Sequence, residues 1–166
     1  MPSVNRSIKN AQVERSATNA RSFMARFKSA NTKPEVQVRR ALHALGFRFR
    51  LHRKDLPGTP DIVLPKLRTA IFVHGCFWHQ HPGCKAARIP KSNPVFWTNK
   101  FKKNETRDVA NIVDLKARGW ATVVVWECET KNERDLRTVL LHRVAANAQN
   151  DQFGINVIPP LDTQSG

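Results

Sequence analysis

The hydrophobic positions of the chain follow a helical period in three segments. The first, residues 31–46, starts with two side chains that can cap a helix and ends at a glycine. Residues 96–118 and 132–148 are also predicted to be helical. The apolar stripes of these helices consist of Val38, Ala41, Leu42 and Leu45, then Val109, Ile112, Val113 and Leu115, and then Leu136, Val139, Leu140 and Val144.

Four segments are patterned like strands. Residues 47–52 alternate apolar and basic side chains, and the turn-forming sequence LPGTP separates them from the extended run 61–64, so a hairpin is predicted. Residues 69–74 form a third strand. Residues 121–126 are apolar on both faces, which predicts a central strand. The order helix, three strands, helix, strand, helix predicts an α/β domain whose central mixed sheet is flanked by helices.

The ends of the chain are less strongly patterned. Residues 1–30 are polar and basic and predict an N-terminal arm, and residues 149–166 predict a C-terminal tail. The domain is therefore expected to span residues 31–148. At 166 residues, the chain is long enough to bury a core without disulfides.

Charge indicates the class of partner. The chain carries 28 Lys and Arg against 13 Asp and Glu, a formal charge of +15, which favours a polyanion such as nucleic acid. No apolar run reaches the roughly 20 residues that span a bilayer, and the N-terminal sequence lacks the apolar stretch of a secretory signal. A cytoplasmic, nucleoid-associated protein is expected. Three cysteines in that compartment indicate metal binding or free thiols.

The segment HGCFWHQHPGC at residues 74–84 combines cysteines, histidines and aromatic residues. Thiolates and imidazoles are the ligands that zinc prefers. Cys76 and Cys84 supply two, and Cys128, after the strand at 121–126, supplies a third. The fourth is His79 or His81, between which the spacing does not decide. The alternative is three buried cysteines that act as small apolar side chains.

Asp61 is a candidate ligand of a catalytic cation. It follows a turn and begins a strand beside the one that runs into His74, so its carboxylate could hold Mg2+. Hydrolysis of a phosphodiester also needs a base, for which His74 and His79 are the nearest candidates. Glu35 is a weaker candidate. The simpler alternatives are a turn-forming role for Asp61 and a helix-dipole role for Glu35.

Phe77, Trp78 and Trp97 are candidates for contact with bases. Phe77 and Trp78 lie between the proposed ligands, and Trp97 follows a proline-broken linker outside any clear apolar stripe. Aromatic side chains in loops amid positive charge suit stacking on nucleic-acid bases. The alternative, common for aromatic residues, is burial in the core.

Several of these motifs together resemble one family. GTPD at 58–61, HGCFWH at 74–79, FW at 96–97 and VWEC at 125–128 are similar in order and spacing to the very short patch repair (Vsr) mismatch endonucleases, and RSFM at 21–24 and TKPE at 32–35 extend the likeness. The resemblance implies a restriction-endonuclease-like fold. It also implies a monomer that nicks double-stranded DNA 5′ of the thymine in T·G mismatches, which arise when 5-methylcytosine deaminates. Other repair proteins are candidate partners.

The resemblance also implies roles for individual residues. Asp61 and the backbone carbonyl of Val73 would hold Mg2+, and His79 would be the general base, supported by His74 and Glu35. A structural Zn2+ would be held by Cys76, His81, Cys84 and Cys128. The residues implied to contact DNA are Phe77, Trp78 and Trp97 from the major groove and Met24 from the minor groove. Two alternatives remain: a restriction or homing nuclease of the same fold, and a non-catalytic zinc-stabilised DNA-binding module.

Overall fold

In the computed structural model of the protein, helices lie on both faces of a four-stranded sheet. The structure describes residues 30–150 and the side chains of 30–147. Residues 1–29 of the predicted arm, which include Met24, lie outside this range. Most of the predicted tail at 149–166 also lies outside it. The helices are α1 (Lys33–Ala44), α2 (Pro94–Ala117) and α3 (Glu133–Asn150), and the strands are β1 (Arg50–Leu51), β2 (Ile62–Leu64), β3 (Thr69–His74) and β4 (Ala121–Trp126).

The predicted α/β class and element order are confirmed. Two short 3-10 helices, Pro65–Leu67 and Glu127–Lys131, follow β2 and β4. None of the helices in the described part of the chain is long and apolar enough to cross a membrane.

Helix α1 begins and ends as its sequence predicts. The side chain of Thr32 accepts a hydrogen bond from the backbone N–H of Glu35, and the Glu35 carboxylate accepts from the backbone N–H of Thr32, which together form a capping box. The helix buries one face through Val38, Ala41 and Leu42. Gly46 follows its C-terminus with φ of +83°, a left-handed conformation that glycine adopts without steric cost.

The sheet has the strand order β1-β2-β3-β4. The first two pairings are antiparallel, so the predicted hairpin is confirmed, although β1 has only two residues. Strands β3 and β4 are parallel, with α2 in the connection between them. The sheet is therefore mixed, as expected.

The predicted central position of β4 is wrong, because β4 lies at the edge of the sheet among the described strands. Both of its faces are nevertheless next to helices. Val123 and Val125 belong to the cluster that α1 and α3 complete, and α2 packs against the strand as well. Apolar residues on both faces of a strand therefore reflect two covering layers here, and such layers can cover an edge strand as well as a central one.

Side chains occupy the outer edge of β4. Arg143 of α3 donates a hydrogen bond to the carbonyl of Val124 at 2.6 Å, and Asn147 donates to the carbonyl of Thr122 at 3.3 Å. The N–H of Trp126 donates to Glu129 at 2.8 Å. These contacts satisfy backbone groups that would otherwise be available for pairing with another strand.

Most buried apolar side chains among the described residues fall into three clusters. The largest, between the sheet and α1 and α3, contains Val38, Ala41, Leu42, Ile62, Leu64, Ile71, Val123, Val125, Leu136, Leu140 and Val144. A smaller one on the α2 side contains Leu56, Val63, Ala70, Phe72 and Leu115. Trp97 and Phe101 form the third, with Phe77, Trp78 and Phe96 packed against them.

The predicted apolar face of α2 is wrong at two of its four positions. Val109 and Val113 are each 57% exposed, and of the predicted stripe only Leu115 is fully buried. Six of the less exposed residues recur at helical spacing: Trp97, Phe101, Asn104, Asp108, Asn111 and Leu115. Three of these six are polar, so a search for apolar periodicity overlooks the inward face of this helix.

Trp97 lies in the predicted helix, but the expectation that it lies outside any apolar stripe is wrong. Helix α2 begins at Pro94, capped by Asn93, and Trp97 in its first turn is 5% exposed. The prolines at 90 and 94 suggested a loop, but Pro94 occupies the first turn of the helix, where its missing N–H costs nothing.

Candidate active site and metal centre

A cleft of about 1070 Å3 opens between β3, α1, α2 and the turn that precedes β2. The sequence-predicted catalytic residues lie along it. Its titratable lining comprises Glu35, His52, Asp61, His74, His79, Arg107, Asp108 and Glu127. Charged and imidazole side chains gathered in one concave site are typical of an active site.

Asp61 lies directly before β2 and faces β3. Its Oδ2 accepts a hydrogen bond from the backbone N–H of Val73 at 2.7 Å. In a strand the N–H and C=O of one residue point to the same side, so the Val73 carbonyl also faces Asp61. Burial, assisted by the nearby charge of Glu35, raises the pKa of Asp61 above its usual range although the Val73 hydrogen bond opposes this. A bound cation would offset that cost, and carboxylate and carbonyl oxygens are the donors that Mg2+ prefers.

The turn before Asp61 is held against α2. Gly58 has φ of +72°, and a Cβ at this position would lie 2.7 Å from Nδ2 of Asn111. Thr59 also has a positive φ, 47°, which is uncommon for a β-branched residue. Strained backbone of this kind persists where the surrounding structure holds it. The close contact with α2 therefore sets the place of Asp61 in the cleft.

His74 and His79 stack on each other. Their ring centroids lie 3.8 Å apart, with an interplanar angle of 9°. Burial, and then the neighbouring His79, lowers the pKa of His74 to about 4. His74 is therefore neutral at neutral pH.

Asp108 of α2 orients His79. The Nδ1 of His79 and the Oδ2 of Asp108 form a hydrogen bond, and Arg107 donates to the other Asp108 oxygen at 3.1 Å. Burial tends to raise the pKa of Asp108, but its hydrogen bonds to His79 and Arg107 lower it on balance. The carboxylate fixes one ring nitrogen of His79 and leaves Nε2 available as a proton acceptor. Asp108 was not predicted from the sequence, although the polar residues at helical spacing on α2 are a signal that could have identified it.

Glu35 is engaged at both carboxylate oxygens. Oε1 accepts from the N–H of Thr32 at 3.2 Å and from its hydroxyl at 2.8 Å. Oε2 accepts from the N–H of Asn31 at 2.9 Å and from Arg39 at 2.8 Å. A carboxylate offers about four acceptor positions, so the hydrogen bonds at the N-terminus of α1 and from Arg39 saturate Glu35, at the rim of the cleft.

Besides the pair formed by Asp61 and the Val73 carbonyl, one possible metal-binding group comprises Glu35, His52 and Asp61, whose ligand atoms lie within 4.8 Å of one another. Arg39 already occupies part of it. Its guanidinium is 2.8 Å from Glu35 and 3.1 Å from Nε2 of His52. Arginine stays protonated in proteins, so a cation shared by all three would have to displace Arg39, and Asp61 is the carboxylate that remains available.

Four further side chains meet beside the cleft. The ligand atoms of Cys76, His81, Cys84 and Cys128 lie within 4.8 Å of one another, and we call this set the Cys/His cluster. The parallel register pairs His74 with Trp126 at the ends of β3 and β4. Cys76 and Cys128 each follow two residues later, so the topology brings these distant cysteines together.

The donor chemistry of the Cys/His cluster fits zinc. Nδ1 of His81 lies 3.3 Å from the sulfur of Cys128 and 3.6 Å from that of Cys76. Burial raises the pKa of the Cys76 thiol to about 12, so a thiolate at this position needs a cation. Three sulfurs and one imidazole nitrogen form a common tetrahedral zinc set. His81 is the histidine among the cysteines, whereas His79 bonds to Asp108 in the cleft.

The aromatic residues proposed to contact bases form one packed group. Phe77 makes T-shaped contacts with Trp78, Trp97 and Phe101 at centroid distances of 5.0, 5.5 and 5.2 Å. Phe77 and Trp78 are half-buried and line the cleft. Trp97 lies beneath them in the third apolar cluster, whereas Met24 falls outside the described residues.

Comparison with known proteins gives consistent matches. The sequence profile of the DNA mismatch endonuclease Vsr family matches residues 14–85. The DNA mismatch endonuclease Vsr of Escherichia coli is 34% identical over 156 residues, which cover 89% of this chain and 99% of that protein. The type II nicking enzyme V.XorIIP of Xanthomonas oryzae pv. oryzae is 50% identical over 124 residues, or 72% of this chain and 90% of the relative. The type II nicking enzyme V.NmeAIP of Neisseria meningitidis is 50% identical over 117 residues, which cover 70% of this chain and 83% of that protein.

Proposed function

Because this chain belongs to the Vsr DNA mismatch endonuclease family and is a DNA endonuclease, we propose that it nicks double-stranded DNA 5′ of the thymine in T·G mismatches, with Mg2+ as its catalytic cation. Such mismatches arise when 5-methylcytosine deaminates. The observation that carries the proposal is the shared cleft, in which Asp61 and the backbone of Val73 lie with the His79–Asp108 pair.

In the proposed reaction, Asp61 and the Val73 carbonyl would hold Mg2+, which would offset negative charge on the phosphate oxygens of the scissile bond. His79 takes a proton at Nε2 from the water that attacks phosphorus, while one P–O ester bond breaks and the released sugar oxygen takes up a proton from solvent. Asp108 keeps the Nδ1 proton of His79 in place and stabilises the imidazolium that forms, as a carboxylate does beside any histidine base. His74 stays neutral and fixes the plane of the His79 ring. Glu35 holds the N-terminus of α1 at the rim.

We propose that Phe77 and Trp78 enter the DNA beside the mismatch. They are half-buried at the cleft, and Trp97 and Phe101 support them from beneath. A mismatched base pair costs less to unstack than a matched one, so inserted rings favour mismatched DNA. Trp97 contributes as the buried support of the wedge, and Met24 is proposed to approach from the minor groove.

We further propose that the Cys/His cluster holds one structural Zn2+ through Cys76, His81, Cys84 and Cys128. Binding at such a site contributes directly to folding. Metal analysis of purified protein should give one zinc per chain, and strong chelation should lower the melting temperature sharply. Active protein without stoichiometric zinc would contradict this assignment.

A nicking assay tests the activity. End-labelled duplexes that differ only in one T·G or T·A pair are incubated with the protein, with and without Mg2+, over a panel of flanking sequences. We expect one cut, 5′ of the mismatched thymine, that requires Mg2+. The Asp61→Ala protein is the control for a contaminating nuclease.

Two other outcomes would reject the proposal. Cleavage of matched DNA at a short sequence would identify a restriction or homing nuclease of the same fold. If the protein binds mismatched DNA but does not cleave it with any divalent cation, it is a non-catalytic DNA-binding module. This result would contradict the endonuclease activity of its family.

A further inference from the structure

Four rings connect the Cys/His cluster with the catalytic cleft. The His81 ring lies on the indole of Trp126, with 4.2 Å between centroids and an interplanar angle of 7°. The same indole meets His74 in a T-shaped contact at 5.4 Å and 73°. His74 stacks on His79 at 3.8 Å. The order of contacts is therefore His81, Trp126, His74 and His79.

The backbone around the middle of this array is fixed. Trp126 ends β4 and pairs with His74, which ends β3. The N–H of Trp126 donates to the Glu129 carboxylate at 2.8 Å, and Arg143 binds the same carboxylate at 2.6 and 2.9 Å. The two central rings are thus attached to the ends of paired strands, where small changes in ring orientation cannot be absorbed by movement of a loop.

We propose that Trp126 is a positioning residue that makes the orientation of His74, and through it that of His79, depend on metal ligation at His81. The inference rests on the proposed function, which assigns zinc to His81 and the base role to His79. A bond from the ring to a metal, together with the stack on the indole of Trp126, restricts the plane of the His81 imidazole from two sides. The indole stacked on that plane cannot tilt, and it holds His74 against His79. The Cys/His cluster thereby acts on catalysis as well as on folding.

The base needs this support because one anchor does not fix a ring. Asp108 holds Nδ1 of His79, but a single hydrogen bond still allows the imidazole to rotate about it. The stack with His74 removes that freedom. A displacement of a catalytic group by about 1 Å can cost about a hundredfold in rate, so loss of the indole should be visible in kcat.

The first test compares three variants of the zinc-loaded protein. Trp126→Leu removes the ring, Trp126→Phe keeps a flat ring at the same place, and Trp120→Leu is the matched control, since Trp120 is also half-buried but packs on the second apolar cluster. We expect Trp126→Leu to keep its zinc and its DNA affinity while its single-turnover nicking rate falls about tenfold or more. Trp126→Phe should recover most of the rate, and Trp120→Leu should nick like the parent.

The second test keeps the metal and removes the stack. His81→Cys retains a four-ligand zinc set of a common type but takes away the ring that lies on Trp126. NMR signals of the His74 and His79 rings, recorded without DNA in an Asp61→Asn background, should shift in Trp126→Leu and in His81→Cys, and should stay in place in Trp120→Leu.

These readouts separate the inference from the proposed function. A parent protein that does not nick T·G duplexes while the histidine signals still respond would reject the function and leave the coupling standing. Zinc-loaded Trp126→Leu and His81→Cys proteins with parental histidine signals would overturn the coupling, whatever the parent cleaves. A Trp126→Phe protein that nicks as slowly as Trp126→Leu would also overturn the coupling, because an aromatic ring at this position would then have no effect on the rate.

Discussion

The two faces of the sheet differ in what they bury. On the face covered by α1 and α3, eleven apolar side chains form one cluster. On the face covered by α2, the apolar cluster has five members, and the same helix turns Asn104, Asp108 and Asn111 inward. The cleft, the stacked histidines and the aromatic group all lie on or beside this second side.

The two faces of the sheet therefore contribute differently to stability and to catalysis. Burial of apolar surface stabilises the fold in proportion to area, and the α1–α3 face supplies most of it. Buried polar and charged groups cost free energy unless they are paired. On the α2 face, two buried side chains carry this cost. Burial raises the pKa of Asp61, and it lowers the pKa of His74 to about 4. Mutations on the two faces should therefore have different consequences.

The largest effect is expected at Asp61. Asp61→Ala removes the carboxylate proposed to hold the cation, so nicking should fall by about a thousandfold or more, with DNA affinity and folding retained. The matched control is Asp55→Ala, an exposed carboxylate in the same connection, which should cut normally. Rates for Asp61→Ala within tenfold of the parent would remove this residue from the mechanism.

Trp97→Ala tests whether the aromatic group belongs to the core. Because Trp97 is 5% exposed, its truncation should lower the free energy of unfolding by about 3–5 kcal/mol. Chemical denaturation measures this loss, and Phe96→Ala, from the half-buried neighbour, should lose less. If the stability is unchanged but the variant no longer discriminates between T·G and T·A duplexes, Trp97 contacts DNA and does not belong to the core.

Leu140→Ala probes the opposite face. The side chain is fully buried in the largest cluster, so unfolding free energy should fall by about 2–5 kcal/mol. Nicking below the melting transition should match the parent. The adjacent Leu141, 48% exposed, provides the control, since Leu141→Ala should leave stability nearly unchanged. A folded Leu140→Ala protein with impaired catalysis would contradict the division between the faces.

Asp108→Asn should slow nicking without unfolding the protein. The amide can no longer hold His79 as a carboxylate does, and we expect kcat to fall by about a hundredfold with KM little changed. Asp114→Asn, at an exposed position of the same helix, is the control. If both variants cut at the same rate, Asp108 is only a surface partner of Arg107.

The smallest effect concerns the cost of burying Asp61. Its pKa is higher in the folded protein than the ordinary 3.8, so the ionised carboxylate destabilises the fold at pH values above the folded pKa. The penalty is absent below pH 3.8, where both states are protonated. In buffer without Mg2+, Asp61→Asn should therefore melt higher than the parent at neutral pH, and the difference should vanish toward acid pH. A constant difference across pH would point to packing instead.

Much of the fold follows from local pattern. The capping box and apolar stripe of α1, the turn between β1 and β2, and the final helix were all predicted from neighbouring residues, and the structure confirms them. One error, the central position of β4, concerns the order of the strands, and another lies where α2 meets the cleft. The inward face of α2 is half polar, so apolar periodicity selected Val109 and Val113, which are exposed.

The sequence by itself determined the order of elements, the excess of positive charge and the grouping of cysteines and histidines after β3, because all three depend on residue type and short spacing. Residue spacing alone left His79 and His81 as alternatives, and the family resemblance implied His81 as the partner of the cysteines. Only the tertiary structure showed that His79 pairs with Asp108, and it brings His81 together with the cysteines. It also placed β4 at the edge of the described sheet and Trp126 between two histidines. Such contacts join residues far apart in the chain, and they depend on strand register and helix rotation, which no local pattern encodes.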